Sequence, residues 1–184
     1  DQSGMMQGID AFTQQALGIL TSSRVVKALD VSEEPAAVRE RYGKGFTANY
    51  GDGAPRNLEH FLMARRLIEA GVRYVSLNTG YFDDHGSIEP ALKDKLPRHD
   101  RAVGVLIQDL AERGMLDDTL VVVAGEFGHT PRINANAGRD HWPQAQSILL
   151  AGGGFQHGQV IGATNDKAEY PVSKPVSVED FCAI

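Results

Sequence analysis

The sequence predicts an α/β fold in which a mostly parallel β-sheet is flanked by helices on both faces. Segments with helical spacing of apolar residues alternate with short apolar runs, the order expected of βαβ units. The run at residues 120–124 is continuously apolar, as in a strand that is buried on both faces. With 184 residues and 42% hydrophobic side chains, the chain is long and apolar enough for one α/β domain, residues 1–184.

Helices dominate the first part of the chain. Residues 9–28 carry apolar side chains at loosely helical spacing, and a Glu-Glu-Pro start predicts a short helix within residues 31–42. Residues 43–55 are rich in glycine and predict a loop. Asn57 is placed to cap a further helix, which ends at Gly71.

Strands are predicted after this point. They are the segments in which β-branched, aromatic or other apolar residues dominate: residues 72–77, 120–124, 147–151 and, weakly, 159–161. Apolar spacing predicts a helix at residues 99–114, preceded by mostly irregular structure at residues 78–97. Residues 125–143 predict a long polar loop, and loops of that length are usually functional.

Composition and charge narrow the classes of function. The net charge is −6 with no basic stripe, which argues against nucleic acid as a partner. No apolar run reaches the roughly 18–20 residues that cross a bilayer. The single cysteine, Cys182, excludes an intramolecular disulfide and a multi-thiolate zinc site. Because the chain begins with Asp1 rather than Met, we expect it to be a piece of a longer protein.

Three polar clusters join a carboxylate to an imidazole, a pair of ligands that divalent metals prefer. They lie at residues 82–86, 125–131 and 138–142. The first two follow predicted strands, and open α/β folds place their sites at the carboxyl ends of such strands. The clusters therefore predict a metal site at one edge of the sheet.

The first two clusters each leave two interpretations open. The i, i+2 spacing of Asp83 and His85 lets an extended segment point both side chains to one side, as two ligands would require. The alternative is a turn in which Asp83 or Asp84 caps local amides. Glu126 follows a predicted buried strand, where an unpaired charge is costly, so it is either a ligand or the partner of a nearby arginine.

The remaining candidates lie in the long loop. His129 is a candidate substrate contact, although loop histidines are often merely exposed. His141 can ligate a metal, with Asp140 or a backbone carbonyl orienting its ring. Arg139 can donate two parallel hydrogen bonds to an oxyanion such as phosphate or sulfate. The alternative for this cluster is a packed loop corner anchored by Trp142.

Several longer motifs carry a family resemblance. They are Ala64–Arg73, Asp83-x-His85-Gly86, Leu96–Arg98 with Asp100–Ala102, Gly125–Gly128, Gly138–Pro143 and Ala151–Gly154. In their order and spacing, over nearly the whole chain, these motifs resemble the DUF1501 family. The resemblance implies membership of the alkaline phosphatase-like superfamily, with sulfatases and phosphomutases, and export to the periplasm or cell envelope.

The resemblance also implies roles for individual residues. Asp83 and His85 resemble an Asp-His ligand pair of the superfamily at a shortened spacing, and His141 resembles its final histidine ligand. Glu126 takes the place of the acid in another ligand pair, in which Phe127 replaces the histidine. The resemblance places the nucleophile and a further metal-binding aspartate on a segment before this chain. The chain is therefore expected to be the C-terminal portion of the domain, with a fold incomplete at both ends.

Together these observations predict a metal-dependent hydrolase of phosphate or sulfate esters whose nucleophile is not in this chain. The predicted ligands of one or two divalent ions (zinc, calcium, manganese or magnesium) are Asp83, His85, Glu126 and His141. The predicted contacts to a small anionic ester, or to a sulfated or phosphorylated glycan, are Arg139 and His129. The alternative is a non-catalytic binding or structural domain of the cell envelope, which Phe127 in a ligand position favours.

Overall fold

The structure is a computed structural model of the chain, and it describes residues 10–14, 17–18, 22–46 and 56–182. Its contacts divide the chain into two compact units. Unit 1 comprises residues 1–80 and 98–106, and unit 2 comprises residues 81–97 and 107–184.

Helices account for most of the regular structure. In chain order they are α1 (Ser23–Leu29), α2 (Ala36–Tyr42), α3 (Glu59–Glu69), α4 (Ile88–Glu112) and α5 (Val178–Cys182), with a 3₁₀ helix at Val31–Glu33. The predicted helical stretch at residues 9–28 lies partly outside the described residues. Within it, residues 10–14, 17–18 and 23–28 are helical.

Two of the helix starts show how the sequence sets them. The Asn57 side chain accepts a hydrogen bond of 3.0 Å from the backbone N–H of Glu59, at the start of α3. At the start of α5, the Ser177 hydroxyl accepts from the N–H of Asp180, and the Asp180 carboxylate accepts from the N–H of Ser177. Both contacts are local, and the cap at Asn57 confirms the one predicted from the sequence.

The start of α4 was predicted incorrectly. This helix begins at Ile88 instead of residue 99 and carries Pro97 in its interior, so the irregular structure predicted up to residue 97 is wrong from Ile88 onward. A proline removes one backbone donor. The helix nevertheless continues through Pro97, and its first turns carry an i, i+4 ion pair of 2.7 Å between Glu89 and Lys93.

The strands are short and pair in twos. The pairs are β1 (Gly45–Phe46) with β2 (Arg56–Asn57), β3 (Val121–Val123) with β6 (Leu149–Ala151), β4 (Gly128–His129) with β5 (His141–Trp142), and β7 (Ala163–Thr164) with β8 (Pro171–Ser173). All four pairs among the described residues are antiparallel.

The predicted parallel sheet flanked by helices is therefore wrong. Two predicted strands do contain β3 and β6, but a parallel pair needs a crossover, usually a helix. The connection between these strands holds the β4–β5 pair and no helix. Val122 in β3 is 42% exposed, so its continuous apolar run does not indicate burial on both faces. Residues 72–77 and 159–161 form no strand, and Tyr74 is 82% exposed.

Unit 1 is packed around α3. Leu62 of this helix and Tyr42 at the end of α2 are fully buried, and Ala102 is the most buried residue of the part of α4 that belongs to this unit. Burying a large side chain of this kind contributes on the order of 1.5–3 kcal/mol. The unit is held mainly by helix packing, with β1–β2 as a short attached ribbon.

A charge cluster lies among these helices. Glu34, Arg65 and Arg66, which we call the Glu34 cluster, are all buried. One oxygen of Glu34 lies 2.8 Å from Nη2 of Arg65 and 2.6 Å from Nη1 of Arg66. Arg66 also donates to the carbonyls of Lys27 and Ala28 in the last turn of α1. The Lys27 carbonyl accepts from the backbone N–H of Asp30 as well.

Unit 2 carries the paired strands β3 and β6 and the loops that follow them. A nearly buried ion pair of 2.6 Å between Asp84 and Lys95 fixes the segment that leads into α4. The ammonium group of Lys95 lies 5.0 Å from the ring centre of Tyr81, a cation–π distance. No helix in the described part of the chain combines the length and the hydropathy that crossing a membrane requires.

Candidate metal centre

Three imidazoles in unit 2 point one ring nitrogen at the same carboxylate oxygen. The Nε2 atoms of His141, His85 and His129 lie 2.8, 2.9 and 3.3 Å from Oδ1 of Asp83. We call these four residues the Asp83 centre. The exposed fraction of its side chains runs from 24% for His129 to 49% for His141, so an ion from solvent can reach them.

Two chain segments supply the Asp83 centre. His129 and His141 are directly opposite each other in the β4–β5 pair, and residues opposed in this way project to the same face. Asp83 and His85 come from the irregular segment before α4. The antiparallel pair therefore brings together two histidines from the two ends of one loop.

The segment before α4 is tied to the loop between β4 and β5. Three backbone hydrogen bonds of 2.9–3.0 Å join residues 84–88 to residues 136–139. At Gly138 a Cβ atom would lie 2.1 Å from the carbonyl carbon of His85. Only glycine permits this approach of two backbones, so Gly138 helps to set the position of His85.

Hydrogen bonds and charges shift pKa values in the centre. Burial raises the pKa of Asp83, but hydrogen bonds from His141 and His129 and the charges of His85 and His141 outweigh it, so the pKa falls below its usual value. The hydrogen bond to Asp140 raises the pKa of His85 despite the opposing effect of burial, and the nearby carboxylates add to the rise. Asp83 is therefore an ionised acceptor at neutral pH.

His85 has a carboxylate at both ring nitrogens. Its Nδ1 lies 3.1 Å from Oδ1 of Asp140, and its Nε2 faces Asp83. A neutral imidazole that donates from Nδ1 to Asp140 has only a lone pair at Nε2, which repels the Asp83 carboxylate. A proton or a metal ion between the two atoms removes that repulsion. Metal-ligating histidines commonly donate their second N–H to a carboxylate in this way.

The spacing of the donors also suits a cation. Ligand atoms of Asp83, His85 and His141 all lie within 4.8 Å of one another, while His129 is not part of that set. Bonds of about 2.0–2.2 Å at tetrahedral angles separate neighbouring ligand atoms by roughly 3.3–3.6 Å. The distances of 2.8–2.9 Å from Asp83 to His85 and His141 would need to lengthen by only about 0.5 Å to reach that range.

The other candidates from the sequence lie outside this set. Glu126 is exposed, and its carboxylate does not join the three close ligands. Arg139 is half-buried, and its Nε has no hydrogen-bond partner among the described residues. Asp140, one of the two groups predicted to orient the ring of His141, contacts the ring of His85 instead.

Phe127 packs on the imidazoles. Its ring centre lies 4.4 Å from that of His141 and 6.0 Å from that of His129. These separations are typical of aromatic pairs. The residue that stands in a ligand's place in the family resemblance thus forms an apolar wall against two of the histidines.

Asn134 belongs to the candidate site although no motif in the sequence points to it. Its Nδ2 donates to the carbonyl oxygen of His85 and to the carboxylate of Asp140. The only signal in the sequence is a run of turn-forming residues, Asn134–Gly138, which indicates a tight loop but no role for its side chains.

A surface cleft of about 290 Å³ adjoins this loop. It is lined by Thr130, Arg132, Ile133, Asn134, Ala135 and Asp140. Arg132 brings a positive charge to the cleft. Asp140 lines the cleft and also contacts His85, so the cleft lies next to the Asp83 centre.

A family model described as "Protein of unknown function (DUF1501)" matches residues 2–184. The chain belongs to the DUF1501 family. This match confirms the family that the motifs predicted and covers nearly every residue of the chain. Neither the comparison with curated proteins nor the comparison with solved structures gives a match.

Proposed function

We propose that this DUF1501 chain binds a divalent cation at the Asp83 centre and forms part of a hydrolase of phosphate or sulfate esters. The observation that carries the proposal is the convergence of three imidazole nitrogens on one carboxylate oxygen. Asp83, His85 and His141 serve as ligands, with His129 next to them. Glu126 serves as a further ligand only if the exposed segment that carries it moves toward the centre.

The chemistry of the donors favours some of the predicted ions over others. Calcium and magnesium prefer all-oxygen sites, whereas imidazole suits zinc and other transition metals. Two histidines and one carboxylate with an open position are a ligand set of catalytic zinc sites. Zinc is therefore the first choice for the Asp83 centre, and manganese the second.

Two arginines of the loop between β4 and β5 support an anionic substrate. Arg132 lines the cleft beside Asp140, and Arg139 has a buried Nε with no hydrogen-bond partner in the described residues. A guanidinium group donates two parallel hydrogen bonds to a phosphate or sulfate. A cation bound at the centre would polarise the ester or activate a water molecule. The nucleophile is not assigned to any residue of this chain.

The ester class and the location rest on the family resemblance. The motifs resemble those of the alkaline phosphatase-like superfamily, of whose domain the chain would form the C-terminal portion. This placement, a glycan or other anionic ester as substrate, and export to the periplasm or cell envelope are parts of the proposal. The antiparallel pairing of the strands gives no support to this placement in the superfamily.

A specific observation favours a second function, a non-catalytic binding or structural domain of the cell envelope. Phe127 packs on His141 and His129, and the three histidines already contact Asp83. A centre of this kind can hold its loops together with protons alone. In that case the residues serve the architecture of the loops rather than catalysis.

Zinc binding tests the first part of the proposal. Isothermal titration of the metal-free protein should show one Zn²⁺ site that is lost in His85→Ala and in His141→Ala. His60→Ala is the matched control, because His60 is a half-buried histidine on α3, in unit 1. Equal Zn²⁺ binding by all four proteins would rule out the Asp83 centre as the site.

Hydrolysis assays separate the two functions. The protein in its full natural length, loaded with Zn²⁺ or Mn²⁺, should release product from aryl phosphates or aryl sulfates, and His141→Ala should abolish that release. Zinc binding without any hydrolysis would favour the non-catalytic domain.

A further inference from the structure

One side chain behind the Asp83 centre bonds both to the backbone of His85 and to the carboxylate that contacts its ring. Nδ2 of Asn134 lies 3.1 Å from the carbonyl oxygen of His85 and 3.0 Å from Oδ1 of Asp140. The same Asp140 oxygen lies 3.1 Å from Nδ1 of His85. A single amide group therefore donates to the main chain of His85 and to the acceptor of its imidazole.

The oxygen of the Asn134 amide has a separate task. It accepts hydrogen bonds of 2.9 Å from the backbone N–H groups of Asn136 and Gly138. These bonds close the turn between β4 and β5. The side chain thus has an acceptor end that shapes the loop and a donor end that faces His85.

We propose that Asn134 is a positioning residue of the metal centre, whose donor end fixes the His85 ring so that Nε2 faces the cation. Oδ1 of Asp140 accepts one hydrogen bond from Nδ2 of Asn134 and another from Nδ1 of His85. These two bonds restrict the rotation of the Asp140 carboxylate. The imidazole that bonds to this oxygen is held in turn. This inference rests on the proposed function, because it takes a cation at the Asp83 centre as given.

A substitution can separate the two ends of the side chain. Asn134→Asp keeps an oxygen for the N–H groups of Asn136 and Gly138 but removes both donors to His85 and Asp140. The loop is thereby preserved while the positioning contact is lost. Asn136→Ala is the matched control, since Asn136 is an exposed asparagine in the same loop and makes its contacts through its backbone.

Affinity for Zn²⁺ and the absorption spectrum of bound Co²⁺ measure the effect. Loss of an outer contact to a ligating histidine typically weakens metal binding about 10–100-fold. We expect a weakening of that size for Asn134→Asp, with a changed visible Co²⁺ spectrum because the ligand geometry is altered. Asn136→Ala should bind Zn²⁺ like the wild type and leave the spectrum unchanged.

Two other outcomes would overturn the inference. Unchanged Zn²⁺ affinity in Asn134→Asp would show that only the acceptor end matters. Tighter binding with an unchanged Co²⁺ spectrum would show that the new carboxylate acts through its charge alone. If Asn134→Asp unfolds, Asp140→Asn removes the charge of the intermediate carboxylate, and the same weakening and spectral change are expected.

A metal-free measurement keeps this inference distinct from the proposed function. In the protein without metal, the NMR signals of the His85 ring should move in Asn134→Asp and stay in place in Asn136→Ala. Should the wild type bind no Zn²⁺, the proposed function fails, and this shift still decides whether Asn134 positions His85. An unmoved His85 signal in Asn134→Asp would overturn the inference.

Discussion

The Glu34 cluster of unit 1 and the Asp83 centre of unit 2 each gather several partners around one carboxylate oxygen. In the Glu34 cluster the partners are two guanidinium groups, and the side chains of Glu34 and Arg65 are only 9% and 0% exposed. In the Asp83 centre the partners are imidazoles, and the side chains of Asp83 and His85 are 38% and 46% exposed.

The difference lies in what can replace the existing contacts. Arginine stays protonated and has no lone pair for a metal, so the buried Glu34 cluster can only hold helices together. An imidazole exchanges its proton for a metal ion near neutral pH, and solvent reaches the Asp83 centre. The buried guanidinium groups therefore stabilise unit 1, whereas the exposed imidazoles form a candidate ligand site in unit 2.

Removing the central acid of the Glu34 cluster should have the largest effect on stability. Breaking a buried ion pair by removing one partner costs about 3–5 kcal/mol, because the other charge stays buried. Glu34→Gln should lower the free energy of unfolding by about that amount, measured by urea denaturation. Glu33 lies 3.4 Å from Arg66, and its side chain is 49% exposed. Glu33→Gln should therefore lower the free energy of unfolding by less than about 1 kcal/mol. Equal losses of unfolding free energy in Glu34→Gln and Glu33→Gln would show that burial does not determine the cost.

Two neighbouring aspartates separate stability from metal binding. Asp83→Asn should weaken Zn²⁺ binding by more than the roughly 100-fold lost with an outer contact. It should change the unfolding free energy of the metal-free protein by less than about 1 kcal/mol, because its pairs are exposed. Asp84→Asn breaks the nearly buried pair with Lys95 and should show the opposite pattern, measured by calorimetry and urea denaturation. Loss of Zn²⁺ binding in both variants would show that the two residues act as one structural unit.

Low pH should reduce the stabilisation that the Glu34 cluster provides, because the pKa of Glu34 is lowered in the folded protein. Burial raises the pKa of Glu34, but hydrogen bonds from Arg65 and Arg66 outweigh it, and the pKa is lowered. The stabilisation is therefore complete above the unfolded pKa of about 4.3 and is lost as the pH falls through the folded pKa. The difference in unfolding free energy between wild type and Glu34→Gln should shrink as the pH is lowered below about 4.3. A difference that stays constant with pH would contradict this.

An exposed ion pair should have the smallest effect. Glu89 and Lys93 lie 2.7 Å apart on α4, with side chains 77% and 74% exposed. Lys93→Ala should change the unfolding free energy by less than about 0.5 kcal/mol. A larger loss in urea denaturation would show that burial does not explain the contrast between the two clusters.

The sequence predicted the features that depend on near neighbours. The cap at Asn57 and the extent of α3 follow from side chains a few residues apart. The pairing of strands depends on segments distant in the chain, and alternating helices and apolar runs suggested parallel neighbours that do not form. Exposed residues such as Val122 and Tyr74 show that apolar composition does not fix which segments pair.

The candidate ligands were predicted on a backbone arrangement that the structure contradicts. Asp83, His85 and His141 were expected at the edge of a parallel sheet, and the structure gathers them through the β4–β5 pair and the bonded loop. Glu126 also carries a carboxylate that could ligate a metal, but it lies outside the set of close ligand atoms. Asn134 could not be found from its residue type, because its role depends on where residues 84–88 meet the loop.

The central claim is that imidazoles and a carboxylate of the Asp83 centre share one cation. X-ray absorption at the zinc edge of the Zn²⁺-loaded protein tests it directly. We predict two imidazole nitrogens at about 2.0–2.1 Å together with a carboxylate oxygen. The imidazole signal should be lost in the His85→Ala/His141→Ala double variant. An all-oxygen shell, or an imidazole signal that persists in the double variant, would contradict the claim.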